Sequence, residues 1–238
     1  MNGFQAIIYE KNAGIGYITL NRQKVLNVYN LQMRDEMFEV LGSIKDDPGV
    51  QVVILKGAGD KAFCAGADLT EFLSAPSPVI ARQVRWERDV WGRFLTLPQP
   101  LIAAVHGYVF GSGVEMSLCC DMIIASEDAQ FAVPEGSLGI IPAAGATQTL
   151  PRFVGRAKAL EALLTGERID AHEALRTGLV IRVVSCDELL PCAECIAEAI
   201  MSRPLDEVRC AKSALRRGLD LPLAAGLQME RQVYTSAL

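Results

Sequence analysis

Short apolar runs alternate with helix-like stretches along the first three quarters of the chain. The apolar runs are four to six residues long and rich in β-branched side chains, as in strands buried on both faces. They predict strands at 15–20, 50–55, 101–105, 122–125 and 179–184. Apolar residues at helical spacing predict helices at 31–44, 79–97 and 115–120. Such alternation favours parallel strands joined by right-handed crossovers.

The pattern changes after Cys186, where helical stretches follow one another without a strand between them. Three helices are predicted, at 187–202, 205–218 and 223–237. Prolines stand at the starts of the last two, where this residue is tolerated. We therefore divide the chain into a core, residues 1–185, and a C-terminal helical region, residues 186–238, which packs on the core or on another subunit.

Composition and charge narrow the class of protein. The 238 residues are 50% hydrophobic and carry 23 Lys and Arg against 28 Asp and Glu, a formal charge of −5. The apolar content excludes intrinsic disorder, and the acidic balance argues against nonspecific nucleic-acid binding. No apolar run reaches the ~18 residues of a membrane helix, and the first ten residues lack the features of a signal peptide. We expect a cytoplasmic protein that binds neither nucleic acid nor membranes.

The seven cysteines do not indicate a metal site or a disulfide framework. Their number is odd and their spacing irregular. Cys192 and Cys195 form a CxxC pair, but no second such pair is present and neither histidine lies nearby. We expect reduced thiols and no bound metal.

Two glycine-containing segments each join a predicted strand to a helix. They read KAFCAGADL at 61–69 and HGYVFGSGVE at 106–115. The N-terminus of a helix presents unpaired N–H groups that can stabilise a developing oxyanion. Glycines also serve simply to permit tight turns, and the residues alone leave that alternative open. Neither segment matches a nucleotide-binding loop.

Two carboxylates lie among apolar neighbours near these segments. Glu115 opens an otherwise apolar helix, and Glu135 lies in the stretch FAVPEG. A carboxylate in apolar surroundings must be paired, hydrogen-bonded or shifted in pKa, and shifted carboxylates act as general acids and bases. Taken singly, each is better explained as a helix-start or turn carboxylate. Together they form a candidate acid–base pair.

Seven short sequence stretches, taken in the order in which they occur along the chain, match the pattern of a known protein family. They read ITLNR with LN at 26–27, FCAGADL at 63–69, HGY at 106–108 continuing to Glu115, CDM at 120–122, PE at 134–135, LGIIP at 138–142, and GERI at 166–169 with Ala171. In this order they resemble the enoyl-CoA hydratase/isomerase (crotonase) family over nearly the whole chain. The resemblance implies an α/β fold, a crotonase-like spiral of ββα repeats, with a C-terminal helical region that builds homotrimers or hexamers.

The resemblance also implies an oxyanion hole and two catalytic glutamates. The N–H groups of Ala67 and Ser112 would bind the thioester carbonyl oxygen of an acyl-CoA. Glu135 would give a proton to the α-carbon, and Glu115 would orient and deprotonate the water that attacks the β-carbon. The expected activity is reversible syn hydration of a 2-enoyl-CoA, with a double-bond isomerase using Glu135 alone as the alternative. No separate cofactor is implied, because coenzyme A is part of the substrate.

The resemblance places the coenzyme A contacts on two segments. The residues of the first are Lys24, Val25 and Leu26, and those of the second are Ala65, Ala67, Asp68 and Leu69. Arg22 and Lys24 would supply local positive charge, with a solvated turn as the alternative explanation of Lys24. Four residues could line an acyl pocket or serve as ordinary core side chains: Phe72, Leu73, Trp86 and Trp91.

Two further alternatives use the same fold. A serine-type hydrolase would use Ser112, with His106 nearby in sequence, but the chain lacks a GxSxG elbow there because residue 110 is Phe. A non-catalytic, RNA-binding homologue would need the basic surface that the composition does not supply.

Overall fold

The computed structural model describes residues 3–71 and 86–237. Its strands are β1 (Ile7–Asn12), β2 (Ile15–Leu20), β3 (Val52–Gly57), β4 (Ala62–Cys64), β5 (Leu101–Val105), β6 (Tyr108–Phe110), β7 (Met122–Ser126), β8 (Gln130–Ala132), β9 (Ile169–Asp170) and β10 (Arg182–Val184). Its helices are α1 (Leu31–Asp46), α2 (Val90–Thr96), α3 (Ser112–Leu118), α4 (Ala146–Thr165, interrupted at Gly155), α5 (Ala171–Thr177), α6 (Cys186–Met201), α7 (Leu205–Gly218) and α8 (Leu223–Ala237).

Two sheets grow side by side as the chain advances. The larger has the order β1-β2-β3-β5-β7-β10 and the smaller the order β4-β6-β8-β9. Successive turns of the chain add one strand to each sheet and then a helix, as in β5-β6-α3 and β7-β8-α4. From β2 to β10 the large sheet is parallel, which requires these long crossovers, and only β1 runs antiparallel to its neighbour β2. The expected parallel sheet is therefore confirmed.

Both faces of the large sheet are covered, which explains its continuous apolar strands. On one face, α1 and α2 pack over the sheet with the buried side chains of Met37 and Phe94. On the other face, α6 packs Ala193 and Ala197 against strand residues that include Ile54. The two alanines are one helical turn apart and let α6 approach the sheet closely. The first helix of the C-terminal region thus packs on the core, which was expected as one of two possibilities beside packing on another subunit.

An ion-pair cluster attaches α7 to the core. The Lys212 Nζ lies 2.7 Å from one oxygen of Asp121, and the Arg216 Nε lies 3.0 Å from the other. Arg216 also donates through Nη2 to the carbonyl oxygen of Cys119, at the end of α3, at 2.8 Å. These two cations and the carboxylate are largely buried and balance one another's charge. Removing one of them would leave a poorly solvated charge.

Several predicted boundaries were wrong, for identifiable reasons. The strand expected at 50–55 begins at Val52, because Val50 donates to the carbonyl of Asp47 in the turn after α1. Residues 79–85 of the helix expected at 79–97 lie outside the described residues. Among the described residues, a helix starts at Val90, because the Asp89 side chain caps it by accepting a hydrogen bond from Gly92 N–H at 2.9 Å. The strand expected at 179–184 is limited to β10.

The small sheet, β1, α4 and α5 were not predicted. The strands of the small sheet are two or three residues long, too short for a period-two pattern to stand out. They are strands because of partners far away in the chain. Among the described residues, none of the helices combines the length and apolar character that a membrane span requires.

Gly107 allows the small sheet to form beside the large one. Its φ is +54°, and a Cβ placed there would lie 2.1 Å from the Lys61 carbonyl oxygen. Gly107→Ala should therefore lower the free energy of unfolding by about 3 kcal/mol, from backbone strain and overpacking together. Gly139 has a similar φ of +70° with nothing within 4 Å of its Cβ position, so Gly139→Ala should lose only about 1 kcal/mol. Urea denaturation measures both, and equal losses would contradict the close contact.

Candidate active site

The carboxyl ends of three parallel strands meet at one edge of the small sheet. Strand β4 pairs with β6, which pairs with β8, all in parallel. The segments that leave this edge are 65–68, 111–112 and 133–135. Side chains and backbone groups that follow parallel strands converge beyond the carboxyl edge, where open sheets bind ligands. Both glycine-containing segments and Glu135 are thus brought together by the sheet.

The first two of these segments touch through glycines. Gly111 has a φ of +47°, and a Cβ placed there would lie 3.6 Å from Gly66 Cα and 2.6 Å from Glu135 Oε1. The carboxylate of Glu135 therefore lies directly over the turn that joins β6 to α3. A larger residue at position 111 would displace that carboxylate.

The backbone around Ala67 leaves its N–H pointing away from the neighbouring chain segment. Tyr29 N–H donates to the carbonyl of Gly66 at 2.8 Å, and Asp68 N–H donates to the carbonyl of Tyr29 at 2.8 Å. In such a parallel bridge the middle residue, Ala67, directs its own N–H to the opposite side. No acceptor for this N–H is found in the described part of the chain.

Ser112 begins α3, so its N–H has no partner within the helix. The helix can approach β4 closely because the next residue is glycine. A Cβ on Gly113 would lie 2.3 Å from the carbonyl oxygen of Cys64. Ser112 and Ala67 therefore stand on adjacent segments, and each has a backbone N–H that no secondary structure uses.

Glu115 is buried, with 3% of its surface exposed, and is held by the backbone of a later loop. Its Oε1 accepts from Ala144 N–H at 2.8 Å and from Ala146 N–H at 3.3 Å. These donors come from the turn into α4, where Gly145 has a φ of +113°. The apolar sequence around Glu115 suggested a hydrogen-bonded carboxylate, but nothing in the sequence identified the two N–H partners.

The environment of the Glu135 carboxyl group differs from that of Glu115. It lies in the first turn of the short 3-10 helix Pro134–Leu138, and its Oε2 is buried without a hydrogen-bond partner among the described residues. Burial raises the pKa of Glu135 above its ordinary value, and the charge of Glu115 raises it further. This environment favours the protonated acid, which suits a proton donor.

The two segments expected to contact coenzyme A lie side by side. Ala65 N–H donates to the carbonyl of Leu26 at 3.0 Å. Lys24 and Val25 are exposed on a 3-10 turn that lines a surface cleft of about 450 Å³, and Leu69 is exposed as well. These residues are accessible to a ligand at one end of the site.

Arg22, expected to supply local positive charge, and Asp68, expected among the coenzyme A contacts, are paired with each other in the structure. Their side chains form an internal ion pair, with Arg22 Nη2 at 3.0 Å from Asp68 Oδ2. The other oxygen of Asp68 accepts from the hydroxyl of Thr70 at 2.6 Å. The hydrogen bond to Thr70, with that to Arg22, lowers the pKa of Asp68 below its ordinary value.

The four residues that could line an acyl pocket differ in where the structure places them. Phe72 and Leu73 lie outside the described residues. Trp86 is 71% exposed, and Trp91 packs against Tyr29 with ring centroids 5.5 Å apart. Trp91 therefore behaves as a core aromatic, one of the two expectations for this group.

The hydrolase alternative lacks its nucleophile–base pair. His106 precedes β6, whereas Ser112 follows it, and the buried Nε2 of His106 has no hydrogen-bond partner among the described residues. The neighbours of His106 are Gly59 and Asp128, and burial lowers the pKa of its imidazole. Within residues 3–71 and 86–237, no group of three His, Cys, Asp or Glu side chains is arranged to hold a metal ion.

Comparisons with known proteins agree on one family. A sequence profile described as enoyl-CoA hydratase/isomerase matches residues 10–238. A short-chain-enoyl-CoA hydratase of Clostridium acetobutylicum is 39% identical over 228 residues, which cover 96% of this chain and 87% of that protein. A crotonyl-CoA hydratase of Syntrophomonas wolfei is 37% identical over 232 residues, 97% of this chain and 89% of that protein. The chain belongs to the enoyl-CoA hydratase/isomerase family, and the resemblance drawn from its seven stretches is confirmed.

Solved structures show the same relationship. The crystal structure of an enoyl-CoA hydratase from Bacillus anthracis matches with a TM-score of 0.92 and 42% identity, covering 97% of this chain and 90% of that chain. One from Geobacillus kaustophilus also gives a TM-score of 0.92, at 36% identity, covering 98% of this chain and 90% of that chain. The predicted α/β, crotonase-like fold with a C-terminal helical region is confirmed.

The raised pKa of Glu135 predicts a pH-dependent stability difference. A carboxyl group with a higher pKa in the folded state stabilises the fold at low pH and loses that contribution as pH rises. Glu135→Gln should therefore gain stability relative to the natural protein as pH rises from about 4 to about 8, since the unfolded carboxyl titrates near 4.3. Urea denaturation at both pH values measures this, with Glu167→Gln as the exposed control. A difference that is independent of pH would show that Glu135 ionises as freely as in the unfolded chain.

Proposed function

We propose that this protein is an enoyl-CoA hydratase, which adds water syn across the 2,3-double bond of a 2-enoyl-CoA thioester, reversibly. The observation that carries this proposal is the convergence of Glu115 and Glu135 on the edge where Ala67 and Ser112 leave their N–H groups unused. The names of the relatives in Clostridium acetobutylicum and Syntrophomonas wolfei support it.

In this proposal the thioester carbonyl oxygen accepts hydrogen bonds from the N–H groups of Ala67 and Ser112. Both belong to backbone held in place by the surrounding structure, so they need little reorganisation as negative charge develops. The coenzyme A portion lies along residues 24–26 and 65–69, where Lys24, Val25 and Leu69 are accessible.

The two carboxyl groups share one water molecule between them. The water oxygen bonds to the β-carbon as its proton passes to Glu115, and the double-bond electrons move toward the carbonyl oxygen as an enolate. The enolate then takes the proton of Glu135 at the α-carbon. This leaves Glu115 protonated and Glu135 ionised, and one proton returns from Glu115 to Glu135 through the next water molecule.

The environments of the two groups suit these roles. Glu135 is biased toward the protonated acid by burial, whereas Glu115 is held by two backbone donors, which fixes the carboxyl group that would orient the water. The proposed chemistry uses no separate cofactor and no metal. An isomerase of the same fold would use Glu135 alone, so the contribution of Glu115 distinguishes the two activities.

Replacing either carboxyl group tests the assignment. Glu115→Gln and Glu135→Gln should each lower kcat for hydration by about 10²- to 10⁴-fold, the range of a lost general acid or base. Coenzyme A affinity, measured by calorimetry, should change little. Glu167→Gln, an exposed glutamate, is the matched control and should retain activity. Full hydration by both site variants would refute the mechanism.

Mass spectrometry on a panel of straight-chain and cyclic enoyl-CoA thioesters, each incubated with the protein, identifies the substrate. A thioester that gains the mass of one water establishes the hydratase and names the acyl class. A panel without mass change, but with a 3-enoyl thioester converted to its 2-enoyl isomer, would instead indicate the isomerase. In that case Glu115→Gln should be harmless.

We also propose that the protein acts in the cytoplasm as a homotrimer or as a hexamer of two trimers. Support comes from the apolar groove of about 700 Å³ between α7 and α8, whose lining includes Leu219, Leu223 and Leu227. Leu219 and Leu223 are 70% and 78% exposed in the single chain. A second copy of the chain would bury this surface and gain the corresponding hydrophobic free energy.

Light scattering after size-exclusion chromatography tests the assembly. The natural protein should give the mass of three or six chains, and the double variant Leu219→Glu/Leu223→Glu should give a smaller mass. Leu164→Glu, at a position 79% exposed on α4, is the matched control and should leave the mass unchanged. A monomeric natural protein would contradict the proposal.

A further inference from the structure

We propose that Arg22 and Asp68 are positioning residues that hold the Ala67 N–H in the direction required for an oxyanion hole. The inference rests on the proposed function, because it assigns a role in the same site. It differs from the expected role of the two residues as contacts or local charge for coenzyme A.

The peptide that carries the Ala67 N–H is held at its other end. The peptide group is planar, so the carbonyl of Gly66 and the N–H of Ala67 point in opposite directions. Tyr29 N–H fixes that carbonyl at 2.8 Å. The orientation of the N–H therefore depends on how firmly residues 26–29 stay against residues 65–68.

Arg22 joins these two segments on one side of the bridge. Its Nη1 donates to the carbonyl of Val28 at 2.7 Å, and its Nη2 donates to Asp68 Oδ2 at 3.0 Å. Val28 comes directly before Tyr29, and Asp68 comes directly after Ala67. The guanidinium therefore spans the Tyr29–Ala67 bridge.

Both charged groups are already occupied within the chain. The Arg22 backbone N–H donates to Asn27 Oδ1 at 2.9 Å, which holds the base of the side chain. Asp68 Oδ1 accepts from Thr70 Oγ1, so each of its oxygens has an internal donor. The side chains are only 22% and 14% exposed. This arrangement suits a structural clamp better than a contact with a mobile phosphate.

A clamp is needed because Gly66 would otherwise let the peptide rotate. Its φ is +117°, in a region that L side chains rarely adopt, and glycine restricts rotation least of all residues. A misplacement of about 1 Å in a catalytic group lowers rates by about 10²-fold. The planar fork of arginine can make both hydrogen bonds at once, which a lysine ammonium at the same position cannot do in the same geometry.

The test compares Arg22→Gln, Arg22→Lys, Asp68→Asn and the double variant Arg22→Gln/Asp68→Asn. Each single variant should lower kcat for hydration by about 10- to 100-fold while KM and the Kd of free coenzyme A change less than threefold. Arg22→Lys should lose less than Arg22→Gln. The double variant should be no worse than the poorer single variant, because the two residues act as one unit. Arg176→Gln, which disrupts an exposed ion pair with Glu173, is the matched control and should retain full activity.

A spectroscopic measurement separates positioning from general damage. Isotope-edited infrared spectra of bound butyryl-CoA, a saturated thioester that cannot be hydrated, report the strength of the hydrogen bonds to its carbonyl oxygen. The carbonyl band should shift less from its solution position in the Arg22 and Asp68 variants than in the natural protein. Arg22→Lys keeps the charge and provides a folded variant for this comparison.

Two results would overturn the clamp. One is an unchanged carbonyl band together with an unchanged kcat. The other is a loss of coenzyme A affinity, strongest at low salt, with kcat retained, which would make Arg22 a phosphate contact. Because the infrared measurement needs only binding, a natural protein that hydrates none of the panel would refute the proposed function while the clamp is still tested.

Discussion

The structure depends on a close approach of backbone to backbone where the small sheet meets the helices that follow it. A side chain at Gly107 would collide with the carbonyl of Lys61, and one at Gly113 would collide with the carbonyl of Cys64. Without these contacts, β4 and β6 could not lie parallel with their ends together. The edge that gathers Ala67, Ser112 and Glu135 would then not exist. The electrostatic environment of the site therefore depends first on the absence of a side chain at these glycines.

Given that edge, the two carboxyl groups acquire different character from their surroundings. Glu115 accepts two backbone N–H groups from the turn into α4, whereas Glu135 has a buried oxygen with no partner in the described residues. Burial raises the pKa of Glu135 above its ordinary value, and the charge of Glu115 raises it further. A pair of acids separated in this way can divide proton donation and proton acceptance between them.

The C-terminal region divides into two parts with different physical roles. Helix α6 completes the large sheet by covering its second face through Ala193 and Ala197. Helices α7 and α8 expose an apolar groove, and Lys212 and Arg216 fix α7 to Asp121 near the end of α3. The same short helix thus carries Ser112 at its start and meets the C-terminal region at its end.

Much of the architecture could be predicted from the sequence alone. Long periodic segments such as 15–20 and 31–44, and the continuous apolar strand 101–105, reveal their structure because burial selects residues at regular spacing. Glu115 and Glu135 were recognisable as candidates because carboxylates are unusual among apolar neighbours. The order of the seven stretches identified the family. The tertiary structure alone decided the small sheet, the N–H donors of Ala144 and Ala146, and the pairing of Arg22 with Asp68. These features depend on contacts between residues far apart in the chain, and such contacts leave no local pattern to read.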